Sequence, residues 1–204
     1  MDYQDNKDRI PLEHYRELFS KLDPNEASLR CAVPFNQESS TFELRLMGEK
    51  LDVVWPSGQF YSENSPFENP QSVILLLRYL CEGRYEASSG ALLDYKDMPW
   101  GQVYYRVFEG RCLKRLAYGF GNSLNAFSQA MEKLGGEKLD MGDASYRFAF
   151  LDGLYIVFIM WQGDDEFPPS AQILFEDNIP AAFTAEDCAA VGDISISRLK
   201  AAAL

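Results

Sequence analysis

The stretch Tyr146-Arg147-Phe148-Ala149-Phe150-Leu151-Asp152-Gly153-Leu154-Tyr155-Ile156-Val157-Phe158-Ile159-Met160-Trp161 sets the fold class. Asp-Gly between two apolar runs is the signal of a two-residue type I′ hairpin turn. The second run is apolar on both faces, as expected of a strand paired on both sides. Ala171 to Phe175 supplies a further strand, and Ala91 to Tyr95 a short one.

Helical patterns flank this hairpin. Asn122 to Leu134 places Leu124, Phe127, Met131 and Leu134 on one side and ends at Gly135-Gly136. Thr184 with Asp187 caps a last helix that carries Leu199. Trp100 to Tyr118 is aromatic and reads as helix broken near Gly110. Upstream, Asn69-Pro70 opens a helix with an N-cap and a proline in the first turn. Val73, Leu76, Leu77 and Leu80 form its stripe, Ile74 and Leu75 widen it, and Gly83 closes it.

The N-terminal part repeats the logic. Pro11 to Leu22 reads as an amphipathic helix with Pro11 in its first turn. Asp23 and Glu26 form a capping box for a second, short helix. Thr41 to Trp55 alternates as a hairpin, with Gly48-Glu49 as a type II′ turn. Ser57 to Asn69, rich in Ser, Asn, Gly and Pro, reads as a mobile loop. Strands and helices are segregated rather than alternating. The expected fold is therefore α+β, a mostly antiparallel sheet built from hairpins and packed on segregated helices. The 204 residues suit a single domain over 1–204, with a smaller N-terminal lobe up to about residue 62.

Composition bounds the partners. Thirty-one acidic against 19 basic residues give a formal charge of -12, so nucleic acid and anionic membrane are poor partners. Arg106, Arg111, Lys114 and Arg115 gather locally and read as a solvated helix face. The longest apolar run, Val73 to Leu77, is too short to span a bilayer, and the polar Met1–Asp8 start lacks the form of an export signal. The cytoplasm is the expected compartment. Cys31, Cys81, Cys112 and Cys188 are far apart in sequence and form no Cys-x-x-Cys clamp, so they read as reduced core thiols. His14, the single histidine, falls off the apolar stripe of its helix. Multi-histidine metal sites and histidine-based nucleophile activation are disfavoured accordingly.

Chemistry concentrates at one place. In an unbroken register from Asp152-Gly153, Asp143 comes opposite Gln162, which sets Gly142-Asp143 beside Gly163-Asp164-Asp165-Glu166. With Asp140, five acids then meet at the open end of the hairpin. Asp143, Asp164, Asp165 and Glu166 are the candidate ligand-binding residues. Asp143, Asp164 and Glu166 could hold a divalent cation through oxygen, or a carboxylate pair could share a proton. The bland alternative is carboxylates capping backbone amides in Asx-turns. Trp100 and Tyr104 are a second candidate, as walls of a ligand pocket or as an exposed interface patch. At helical spacing they are more often core. Gly119-Phe120-Gly121 follows no strand and lacks the rest of a dinucleotide fingerprint, so it is set aside.

The segments Phe120-Gly121, Leu134-Gly135-Gly136, Gly142-Asp143-Ala144-Ser145, Trp161-Gln162-Gly163-Asp164-Asp165-Glu166-Phe167-Pro168, Ile173-Leu174-Phe175 and Thr184-Ala185-Glu186-Asp187 together resemble a domain-of-unknown-function family of anaerobic bacteria and archaea. The resemblance covers most of the chain and is clearest from Leu134 onward. It implies an origin among clostridia, acetogens or methanogens. It also implies relatives that carry an N-terminal iron–sulfur module and contact one-carbon metabolism. This chain has no cysteine-rich segment, so no iron–sulfur cluster is expected on it alone. The resemblance brings no catalytic residues. The expected function is a non-catalytic or accessory domain that binds a small ligand, a cation or a partner protein at the acidic loop pair. The alternative is a Mg²⁺- or Mn²⁺-dependent enzyme using the same carboxylates.

Overall fold

The computed structural model describes Tyr3 to Leu204, with side chains from Arg9 onward, so the side chains of the Met1–Asp8 stretch lie outside the described residues. The chain divides into two units, Met1–Glu86 and Ala87–Leu204. Both combine helices with a five-stranded antiparallel sheet, the α+β class expected from the sequence. Among the described residues no helix is long and apolar enough to cross a membrane.

The first unit runs α1 (Tyr3–Lys21), α2 (Pro24–Cys31), β1 (Phe35–Asn36), β2 (Thr41–Leu46), β3 (Glu49–Val54), β4 (Gln59–Ser62), β5 (Ser65–Pro66) and α3 (Pro70–Glu82). Pro11 lies inside α1 rather than in its first turn. Asp23 caps α2 by accepting from the amides of Asn25 and Glu26, so the cap is one-sided where a reciprocal box was expected. Asn69 caps α3 through the Ser72 amide at 2.9 Å, as its Asn-Pro start predicts. Gly83 ends α3 in an extended rather than a left-handed conformation.

The strands form a meander in chain order. The first turn is Met47-Gly48, with φ of 50° and 85°. Leu46 pairs with Glu49, so this is a type I′ turn and not the type II′ turn at Gly48-Glu49. The expected loop from Ser57 to Asn69 contains β4 and β5, joined by a second turn of the same kind at Glu63-Asn64. Phe42 sits between Phe35 and Phe19, tying sheet to α1. Arg30 donates to the carbonyls of Gly83 and Leu80, and Tyr79 donates to the Cys31 carbonyl at 2.8 Å, which locks α2 to the end of α3.

The second unit begins with β6 (Leu92–Asp94) and a 3₁₀ turn (Tyr95–Asp97). Next come α4 (Gly101–Phe108), a π turn (Glu109–Leu113), α5 (Lys114–Phe120) and α6 (Leu124–Lys133). The hairpin core follows as β7 (Glu137–Leu139), β8 (Ala144–Leu151), β9 (Leu154–Trp161) and β10 (Ser170–Glu176), and the chain closes with α7 (Ile179–Ala182) and α8 (Ala185–Ala202). The sheet order is β6-β10-β9-β8-β7, which makes β9 the central strand its two-faced apolarity requires. Helices cover one face: Tyr95 stacks on Phe108 at 3.9 Å and both meet Phe175, while Phe127 meets Tyr146. The helix does not break at Gly110. Phe108, Cys112, Leu116 and Phe120 are all buried and recur every fourth residue. Four residues overshoot an α-turn by about 40°, and the wider π turn absorbs the excess.

On the opposite face Val157, Ile159 and Leu174 form a smaller cluster with Leu139 packed on it. Beside it the Arg147 guanidinium reaches Glu176 at 2.6 Å and lies over the Tyr155 ring. At the edge, Asp177 accepts from Ser88 at 2.8 Å and from the hydroxyl and amide of Ser89. Thr184 and Asp187 form the expected reciprocal box at the start of α8.

Candidate functional site: the acidic end of the hairpin

Two details of the β8–β9 hairpin differ from the expected register. Gly153 alone of the turn pair has positive φ, so the turn is not type I′. A bulge between Ala149 and Leu151 then adds one residue to β8, and Ala144 pairs with Met160. Asp143 therefore comes level with Trp161 rather than Gln162. Its amide donates to the Met160 carbonyl at 2.9 Å. Its carboxylate leans one residue further and accepts from the Gln162 amide at 2.7 Å. This bond ties the segment before β8 to the segment after β9.

The second segment is folded on itself. Asp164 Oδ1 accepts from the amides of Glu166 at 2.9 Å and Phe167 at 2.7 Å, and the Asp164 amide donates to the Phe167 carbonyl at 2.9 Å. This closed Asx-turn leaves Phe167 67% exposed at its tip. Gly163 allows the chain to return: a Cβ there would meet Pro169 Cδ at 2.6 Å. Pro169 in turn packs where Gly121 has no side chain. Gly142, with φ of 59°, lies under Ile159 and Trp161 with no room for a Cβ. The glycines of the motif segments serve close packing around the rim, and Gly119-Phe120-Gly121 acts as a seat for Pro169.

Asp143 and Asp164 are thus committed to backbone amides, while Asp140, Asp165 and Glu166 are exposed. Among the described residues no group of three or more His, Cys, Asp or Glu side chains is placed to hold a metal ion, and Asp143, Asp164 and Glu166 do not form one. None of the five carboxylates takes part in an ion pair among the described residues. Exposed apolar side chains stand among them: Met141, Trp161 and Phe167.

Trp100 and Tyr104 stand elsewhere. Both belong to α4, which packs on α8 and the 3₁₀ turn, and both point outward, so neither is core. The four cysteines are free, with Cys81 half-buried and the others buried. Burial pushes the Cys31 thiol up to about 11 and those of Cys81 and Cys112 to about 12, with Cys188 raised as well. His14 is exposed on α1. Of the basic group, Arg111 and Arg115 both bond Asp193 of α8, and Lys114 stands 3.8 Å from Glu109, so these three are not a purely solvated face.

A cleft of about 180 Å³ in the first unit, walled by Arg16, Gln59, Tyr61, Pro66 and Glu68, was not foreseen. It lies on the β4–β5 hairpin that reads as loop in the sequence. It is smaller than the roughly 300 Å³ at which small-molecule sites begin.

Two antiparallel α+β units, the second ending in an acidic, aromatic-studded rim, define the class of protein. The chain belongs to the family described as a domain of unknown function (DUF3786), whose model matches residues 23–198, most of the chain and parts of both units. No curated protein and no solved structure matches it.

Proposed function

We propose that this chain is a non-catalytic binding domain that takes a cationic, apolar-tipped segment of a partner protein at the acidic rim. The observation that carries this reading is the Asp143–Gln162 bond, which holds both acidic segments together beside Trp161. Two carboxylates stiffen the loops by capping amides, and that stiffness lowers the ordering cost of binding. The remaining carboxylates have no cationic partner and supply a field for a basic segment. Phe167, Trp161 and Met141 supply apolar contact of the kind that anchors interfaces. The iron–sulfur association implied by the family resemblance makes a redox protein one class of partner to try first.

A labelled lysine–leucine peptide provides the test, its binding followed by fluorescence anisotropy. The wild-type chain should bind it in a salt-dependent manner, and Asp165→Asn with Glu166→Gln should weaken binding at least about tenfold, a loss of about 1.4 kcal/mol. Equal affinity in both forms would reject the rim as the docking place. A melting-temperature rise with Mg²⁺ or Mn²⁺ that Asp143→Asn abolishes would favour the cation-dependent alternative instead.

A further inference from the structure

We infer that the outward face of α4 is a second docking ridge, fitted to a partner protein that offers an apolar groove edged with carboxylates. Trp100, Val103, Tyr104 and Val107 are exposed by 76, 70, 38 and 57%. Their spacing is i, i+3, i+4, i+7, the anchor pattern of a helix that docks in a groove. The inner face of α4 is already occupied: Gly101 and Phe108 are buried, and a Cβ on Gly101 would collide with the Tyr95 carbonyl. The helix therefore has two apolar faces, and only one is covered.

Trp100 adds a second reason. Its backbone is left-handed, with φ of 66°, a conformation that is uncommon for a bulky residue and costs on the order of 1 kcal/mol. The strain places an indole in solvent rather than in the core.

Charge selects the occupant. Residues 96–115 hold five basic side chains, Lys96, Arg106, Arg111, Lys114 and Arg115, against Asp97 and Glu109. That segment carries +3 in a chain of -12, which leaves -15 for the rest; Asp193, bound to Arg111 and Arg115, lowers the local value to +2. A second copy of the chain would be repelled as a whole, and four side chains fall short of the roughly 800 Å² per partner that a stable interface buries. Nucleic acid and anionic bilayers meet the same repulsion. An acidic apolar groove on another protein meets both the ridge and its cationic flank.

The test uses a labelled helical peptide of glutamate and leucine, with leucines at i, i+3, i+4 and i+7, and the full chain. Binding should tighten to about 100 µM or better at low salt and weaken at least about tenfold in Val103→Glu with Val107→Glu, and separately in Arg106→Glu. These positions are exposed, and circular dichroism should report unchanged folding. The rim variant Asp165→Asn with Glu166→Gln should bind this peptide as the wild type does, so the two faces fail or stand independently. No binding up to about 1 mM, or equal binding by wild type and the valine variant, would overturn the proposal. So would concentration-dependent self-association in light scattering, or capture by phosphatidylserine vesicles, if Val107→Glu abolished it.

Discussion

Pro169 rests against the α-carbon of Gly121, in the space that any Cβ at that position would fill. The same Cβ would come within 2.6 Å of the Ala117 carbonyl. Gly121 has an ordinary helical φ of -64°, so the constraint is room and not backbone freedom. Gly121→Ala should cost about 1–3 kcal/mol, as overpacking does, and should loosen the 163–169 loop. Urea unfolding and limited proteolysis near Phe167 check it; an unchanged midpoint would mean that the loop is not seated there.

The Arg147–Glu176 pair yields a second expectation. The Glu176 side chain is 3% exposed and that of Arg147 31%. Arg147→Met leaves a buried carboxylate unpaired and should cost about 3 kcal/mol, whereas Arg147→Met with Glu176→Leu should recover most of it. Denaturant midpoints of the two variants decide this.

The thiols should be silent in the native state. Burial holds Cys31 near 11 and Cys81 and Cys112 near 12, so little thiolate exists at pH 8. Iodoacetamide should label the native protein slowly and all four cysteines quickly in urea, read by mass spectrometry. The unfolded chain ionises its thiols near pH 9 and the folded one does not. Their contribution to stability is thus complete below about pH 9 and is lost as pH rises toward the folded values.

Asp177 works in the opposite direction. Hydrogen bonds from the Ser89 and Ser88 hydroxyls hold its carboxyl below the usual carboxylate range. Its contribution is present above the unfolded value of about 4 and is lost as pH falls through the lowered folded one. Ser88→Ala with Ser89→Ala should flatten that part of the stability profile below about pH 4, measured by unfolding at successive pH values.

The central hairpin was legible because Asp152-Gly153 separates two apolar runs of strand length. The bulge beside Ala149 was not, since it answers to the packing of buried Phe148 and Phe150 rather than to any local signal. The β4–β5 hairpin was missed for a related reason. Gln59, Ser65 and Pro66 are exposed, so the pair shows no apolar alternation. At the rim, turn chemistry brought Asp143 near Gln162, but the use of Asp164 depends on how the loop folds onto Gly121, a contact over 40 positions away. Trp100 and Tyr104 have helical spacing, and only the burial of Gly101 and Phe108 reveals which face of α4 looks outward.

The π turn at Glu109–Leu113 sets a rotational offset between α4 and α5. Removing one residue there would restore ordinary pitch and swing everything after it by about 100°. Leu116 and Phe120 would then leave the interior, and Gly121 would turn away from Pro169. The length of this connection is therefore as constrained as its composition, and natural insertions or deletions within it should be poorly tolerated.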